Sequence, residues 1–215
     1  MQRKATLCQR TLLLILGIGI LSFGVVLNIK TNLGVSPVNS IPYALSVLSG
    51  IELGNMTILV YFLLVILQMI IRKKRNEPPF RVIVQIPFGI LFGKFTTVFN
   101  TMISWNPTRI PVQLCILAVA IICTALGIVI TVKADVVMVP PDGLTYELSK
   151  LLKCPLGKAK TLLDIVFVLV TVLLGWSVQH KIIGIGIGTL VSAIMIGRCV
   201  QFITATGEKF QKKKV

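Results

Sequence analysis

The sequence KTNLGVSPVNSIPYALS, at residues 30–46, decides the fold because it returns later in the chain as KADVVMVPPDGLTYELS, at residues 133–149. Pro37 pairs with Pro140 at an offset of 103 residues, and tyrosine, serine and glycine residues on either side keep the same offset. We infer an internal duplication, which sets the architecture of a chain before any other feature.

The composition of the 215-residue chain is that of a protein with several membrane spans. Apolar residues make up 55% of the chain, charged residues make up 13%, and the mean hydropathy is +0.91. Soluble domains carry about 25% charged residues. The net charge of +15 comes from Lys and Arg between apolar segments, which is typical of cytoplasmic membrane flanks. We therefore expect the chain to contact the lipid bilayer and not to bind nucleic acid.

Six apolar segments approach the length of about 20 residues that crosses a bilayer. They cover residues 12–29, 56–71, 82–105, 112–132, 161–178 and 182–203. Two further segments, residues 36–53 and 139–153, belong to the duplicated stretch and contain too few apolar residues to cross alone.

The positions of the basic residues favour six spans over eight. If the two short segments also crossed, the basic cluster at residues 72–81 would face the outside. If neither crosses, that cluster, the basic N-terminus and the basic residues 209–214 all face the cytoplasm, as the positive-inside rule prefers. We therefore predict a multi-pass membrane protein with both termini in the cytoplasm.

Six spans give each half of the chain an odd number of crossings. The halves, residues 1–110 and 111–215, hold three spans each, so the second enters the membrane from the opposite side. We predict an all-α transmembrane helix bundle built as a 3+3 inverted repeat, with two short broken or re-entrant helices. This design recurs in transporters.

The third span of each half matches after a slip of one residue, and both copies contain small residues at helical spacing. Gly89 and Gly93 form one row, and Gly184, Gly188 and Ser192 form the other. Such rows let helix backbones approach closely. The rows serve packing inside the chain or, alternatively, a homodimer.

Charged residues at membrane depth are candidates for a functional site because they are costly there. Lys94 is predicted near the midplane, and Asp164 and Arg198 nearer the cytoplasmic end. The functional interpretation is a pocket between the repeats that Lys94 and Arg198 make cationic. The alternative is that these groups pair internally, as Asp164 with Arg198, or extend to the interface.

The two short segments are the second candidate. A helix that starts at Pro37 or Pro140 suits the preference of proline for the first turn. It would point backbone N–H groups and a positive dipole end into the protein, which favours an anion. The alternative is an amphipathic helix on the membrane surface. The candidate site residues are Ser36, Asn39, Tyr43, Asp142 and Tyr146, with Gln85 and Thr189 flanking them.

The chain has none of the usual motifs of an enzyme or a metal site. His180 is the only histidine, and the five cysteines include no CxxC pair. The sequence also lacks HExxH, a P-loop and the spacing of a dinucleotide fingerprint in its GIGIGIG run. We expect no enzymatic activity, no metal and no cofactor.

Three stretches stand out: LGVSPVNSIPYALS after a glycine-rich first helix, VVMVPPDGLTYELS, and the ending GTLVSAIMIGR. Together they resemble the bacterial YczE/YitT-like integral membrane proteins. The resemblance covers most of residues 10–205. It implies a small multi-pass protein of the bacterial cytoplasmic (inner) membrane and, for YczE-type members, an influence on secondary-metabolite production. Val136-Val137 replaces Leu-Gly in the second copy, and the basic tail is too short for the soluble domain of YitT-type members.

The leading functional hypothesis is a transporter or permease for a small solute, anionic or zwitterionic, which works by alternating access. The two repeats would rock about a site at their pseudo-two-fold axis. The alternative is a non-transporting membrane scaffold or regulatory partner of another protein. A polar cavity between the repeats would favour the transporter, and a filled core with an exposed Gly/Ala stripe would favour the scaffold.

Overall fold

The computed structural model describes the backbone of residues 6–212 and the side chains as far as residue 206. Within these residues the chain forms eight α-helices and a short 3-10 helix, Pro79–Val82, before the fourth. The helices are α1 (Leu7–Lys30), α2 (Pro37–Ser49), α3 (Leu53–Lys74), α4 (Gln85–Met102), α5 (Ile110–Ala134), α6 (Pro140–Leu151), α7 (Leu156–Gln179) and α8 (Ile187–Lys212). Of the basic side chains that entered the topology prediction, Arg3, Lys4 and those at residues 209–214 lie outside this description.

Six of the helices are long and apolar enough to cross a membrane, namely α1, α3, α4 with its preceding turn, α5, α7 and α8. The remaining two, α2 with 13 residues and α6 with 12, are too short to cross. The prediction of a multi-pass protein with six spans and two short helices is thereby confirmed.

The sixth span begins later than predicted, at Ile187 instead of residue 182. Gly184 has a left-handed φ of 70°, and its carbonyl oxygen accepts the N–H of Val35 at 2.7 Å. The N–H of Gly188 donates to the carbonyl oxygen of Leu33, also at 2.7 Å. The glycine-rich run therefore binds the loop before α2 instead of extending the helix.

Helices α1 and α5 form the central pair of the bundle. Gly24 of α1 lies so close to α5 that a Cβ on it would be 2.6 Å from the backbone nitrogen of Thr124. Gly127 of α5 approaches α1 in the same way, because its Cβ would be 2.6 Å from the backbone nitrogen of Leu21. Small residues allow two transmembrane backbones to come this close.

The two central helices run antiparallel. Nε of Arg10, near the start of α1, donates to the carbonyl oxygen of Ala134 at the end of α5 at 2.8 Å. The start of α1 and the end of α5 therefore lie on the same side of the bundle. An even number of crossings must separate these points, which α1, α3, α4 and α5 provide only if α2 does not cross.

Helix α6 enters the bundle instead of lying on its surface. At its start, the carbonyl oxygen of Pro140 accepts a hydrogen bond from Gln68 in the interior of α3. Two turns later, Glu147 binds Arg72 and Arg75 at the end of α3. The helix therefore runs from the interior of the bundle towards the end of α3. Its first residue, Pro140, has no N–H group that would be left unpaired in the interior.

Helix α2 enters from the other end in the same manner. Ser40, in its second turn, is fully buried and accepts a hydrogen bond from Thr171 in the middle of α7 at 2.8 Å. The alternative prediction, a helix on the membrane surface, does not fit this burial for either short helix.

The rows of small residues are occupied within the chain. Gly93 lies against Gly54 of α3, and Gly188 lies against Leu33. These residues therefore do not form the exposed stripe that a homodimer through the same faces would require.

Candidate functional site

A cavity of about 220 Å³ lies where the two short helices begin. The first turns of α2 and α6 line it together with residues of α1, α3, α4, α5, α7 and α8. Its polar side chains are Ser36, Asn39, Thr124, Asp142, Lys160, Asp164 and Ser192. Its aromatic wall consists of Tyr61 and Phe92, which are stacked with ring centroids 5.2 Å apart.

Asn28, a buried residue near the end of α1, positions the first turn of α2. Its Nδ2 donates to Oγ of Ser192 in α8 at 2.8 Å, and its Oδ1 accepts the backbone N–H of Ser36 at 3.0 Å. Nδ2 of Asn39 then donates to Oγ of Ser36 at 3.0 Å. One buried amide thus ties α2 and α8 to the central helix, and its bonds are costly to leave unmade.

Gln68 and Gln85 position the first turn of α6. Their side-chain amides bind each other reciprocally at 3.0 and 2.9 Å, and Gln68 also donates to the carbonyl oxygen of Pro140 at 3.1 Å. Gly143 makes room for the pair, because a Cβ there would lie 2.6 Å from Oε1 of Gln68. Gln85, a predicted site residue, therefore supports the cavity wall without lining it.

Replacing Gln68 with leucine should lower the free energy of unfolding by about 1–3 kcal/mol, because the buried amide of Gln85 loses its partner. The loss is measured by unfolding the purified protein in mixed micelles with increasing SDS. Replacing the exposed Gln179 with leucine is the matched control and should leave the unfolding midpoint unchanged. Equal midpoints for the two variants would contradict the supporting role of the amide pair.

Two acidic side chains reach the cavity, and they differ in their partners. Asp164 accepts a hydrogen bond from Nζ of Lys160, one turn earlier in α7, at 2.6 Å. Asp142, the third residue of α6, makes no hydrogen bond or ion pair through its carboxylate with the residues that the structure describes. The cavity therefore contains one carboxylate with a direct ion pair and one without.

Lys94 and Arg198 are not brought to the cavity. Both side chains are exposed, on α4 and α8 respectively. Phe92, Gly93 and Thr96 are buried in the bundle, so the helical period turns Lys94 to the outside. The cationic pocket expected from Lys94 and Arg198 is not formed in this structure, and Asp164 pairs with Lys160 instead of Arg198.

Three further predicted site residues also lie away from the cavity. Tyr43 packs against the loop before α8. Tyr146 is exposed, with Nζ of Lys150 at 4.4 Å from the centre of its ring. Thr189 is buried at the start of α8, where its Oγ1 accepts the N–H of Gly186 at 3.1 Å. Of the ten predicted residues, Ser36, Asn39, Asp142 and Asp164 line the cavity.

The sequence-based selection missed Lys160 and the stacked aromatic pair. The spacing of Lys160 and Asp164, one turn apart on a predicted span, was a usable signal, because such a pair shares one helix face. No sequence signal distinguished Tyr61 and Phe92 from other apolar residues of their helices.

A family model matches residues 8–205, which include all residues that line the cavity. The chain belongs to DUF6198, a family of unknown function. This DUF6198 protein is 25% identical over 187 residues to the uncharacterized protein YyaS of Bacillus subtilis strain 168. The aligned residues cover 85% of this chain and 86% of that protein. No solved structure matches the chain. The finer resemblance to YczE/YitT-like proteins stays a prediction.

Proposed function

We propose that this DUF6198 protein is a transporter that moves a small solute across the bacterial cytoplasmic membrane by alternating access. The cavity supports this function because it lies between the two halves of the chain and takes the first turns of both short helices into its wall. Discontinuous helices that meet at the interface of two repeats are the usual frame of a transporter site.

The helix contacts support an inverted repeat. Each helix of the first half has a counterpart four helices later. The contacts of α1 with α4 and of α2 with α3 correspond to those of α5 with α8 and of α6 with α7. The contacts of α2 with α7 and with α8 correspond to those of α6 with α3 and with α4. The same correspondence maps the central contact of α1 with α5 onto itself. Since α1 and α5 are antiparallel, the relating axis would lie in the membrane plane, as in inverted-topology repeats.

Individual residues of α1 and α5 show the same two-fold correspondence. Gly24 on Thr124 and Gly127 on Leu21 are one contact seen from its two ends at the offset of 103 residues. This is how residues meet across a two-fold, isologous interface.

One helix pair departs from this symmetry, and the departure is the observation that carries the proposal. In the first half, a Cβ on Gly54 of α3 would lie 2.3 Å from the carbonyl oxygen of Gly93 in α4. In the second half, the counterparts are Gly157 of α7 and Gly197 of α8, and a Cβ on either would meet no atom within 4 Å. Among the described residues, α7 and α8 make no contact comparable to that of α3 with α4.

The same pair of helices is therefore closed in one half and open in the other, which is what alternating access requires of an inverted repeat. The open pair supplies Lys160, Asp164 and Ser192 to the cavity. The gap lies on the side of the bundle where α7 begins, which the basic residues predict to be cytoplasmic. Closing α7 on α8 while opening α3 from α4 would move access to the other side.

Spin-label distances test this exchange. One variant carries labels at Leu59 and Val98 in the first half, and a second carries them at the matched Leu162 and Phe202, all of which are exposed. Both are built without the five native cysteines and measured in lipid nanodiscs by double electron–electron resonance. We expect two distances for each pair, with the fraction of molecules at the shorter distance in one pair matching the fraction at the longer distance in the other. A single, fixed distance in both pairs would overturn the proposal and leave the scaffold as the better hypothesis.

A further inference from the structure

We propose that the cavity binds a small organic cation with an apolar substituent, such as a protonated amine or a quaternary ammonium compound, with Asp142 as its counter-charge. This inference rests on the proposed function only for what is transported, since the binding itself is testable alone. It replaces the expectation of an anion or zwitterion.

The first support is the charge of the cavity. The ammonium of Lys160 and the carboxylate of Asp164 are 2.6 Å apart and compensate each other. The carboxylate of Asp142 has no such partner among the described residues. A charge at membrane depth is costly unless it is neutralised. A bound cation would neutralise it.

The second support is the shortage of donors for an anion. Helix α6 begins with Pro140 and Pro141, and proline has no N–H group. The N–H of Gly143 already donates to the carbonyl oxygen of Val139 at 2.9 Å. Asp142 adds its own negative charge at the positive end of the helix dipole. At the start of α6, an anion would therefore meet a carboxylate and few free backbone donors.

The third support is the nature of the walls. The stacked rings of Tyr61 and Phe92 line the cavity, and aromatic faces attract cations within about 6 Å of the ring centre. Aliphatic side chains such as Val25, Ile128 and Ile196 form much of the remaining wall. These surfaces suit a cation that carries an apolar group, and a volume of about 220 Å³ limits it to a small one.

Three probes that share a benzyl group and differ in charge test the inference. Benzyltrimethylammonium is the cation, benzylsulfonate the anion and phenylalanine the zwitterion, each titrated into the full-length protein in nanodiscs by calorimetry. We expect binding of benzyltrimethylammonium and at least tenfold weaker binding of the other two. Preferential binding of benzylsulfonate or phenylalanine would overturn the inference.

Substitution of the carboxylate makes the test specific for Asp142. Asp142→Asn should weaken binding of benzyltrimethylammonium at least tenfold, whereas Asp142→Glu keeps the charge and should retain it. Glu52→Gln removes a carboxylate from an exposed position and should bind like the wild type. Unchanged binding in Asp142→Asn would overturn the inference. If Asp142→Asn does not fold, the comparison of the three probes on the wild type still decides.

The two proposals fail separately. Exchange of the spin-label distances without binding of the cation would leave alternating access in place and remove the substrate class. Binding of the cation without any exchange would remove transport and leave a cation-binding membrane protein.

Discussion

Replacing Glu147 with glutamine is expected to lower the free energy of unfolding by about 3–5 kcal/mol, because it breaks a buried ion pair from one side. Oε1 of Glu147 lies 2.5 Å from Nη1 of Arg72, and Oε2 lies 2.9 Å from Nη1 of Arg75. The glutamate is 2% exposed. Without its charge, the two guanidinium groups that fasten α6 to the end of α3 would share Glu77 as their remaining acidic partner.

Unfolding by SDS or heat measures the loss, and two variants control it. Glu52→Gln removes the same charge from an exposed position and should match the wild type. A quadruple variant with methionine at Arg72, Arg75, Glu77 and Glu147 should recover most of the loss, since apolar replacement of a whole buried ion cluster is often neutral. If Glu147→Gln unfolds like the wild type, the cluster does not hold α6 in place.

Replacing Gly197 with leucine is expected to leave the fold intact and abolish the exchange between the two arrangements of the bundle. A Cβ at Gly197 meets no atom within 4 Å in the structure, so the larger side chain fits the arrangement seen here. It would block the close approach of α7 to α8 that the opposite arrangement needs. In the distance measurement, the label pair at Leu162 and Phe202 should then show only the separated population.

Two matched variants give this prediction its direction. Gly93→Leu places the same side chain in the closed pair, where a Cβ would already lie 2.3 Å from Cγ1 of Ile58. It should destabilise the present arrangement and enrich the opposite one. Ala205→Leu, at an exposed position of α8, should change neither the distances nor the stability. Retention of both populations in Gly197→Leu would show that closure of α7 on α8 is not required.

The six spans and the two short helices were predictable because they follow from length, hydropathy and the position of charge along the chain. Ser36 and Asp142 line one cavity, as the duplicated stretch predicted. A proline-led helix too short to cross the membrane lies either inside the protein or on the membrane surface, and two that enter the protein can meet there. Length, hydropathy and charge position can be read along the chain, and the offset of 103 residues indicated that the two halves are copies of one unit.

The orientation of each helix about its own axis was not predictable in the same way. Helix α4 is apolar on most of its surface, so hydropathy placed Lys94 at depth without showing that Gly93 and Phe92 take the inner face. The late start of α8 also required tertiary information. Its cause is the pairing of Gly184 and Gly188 with the loop at residues 33–35, which is distant in sequence.

We expect the gap between α7 and α8 to affect binding measurements on the purified protein. Because both helices are candidate spans, acyl chains of the surrounding amphiphile would lie beside the gap. A detergent tail that enters beside Gly157 and Gly197 would compete with a bound solute, so affinities determined in maltoside micelles should be weaker than those in phospholipid. If the gap also opens sideways, it would admit a lipophilic amine from the cytoplasmic leaflet as well as from water.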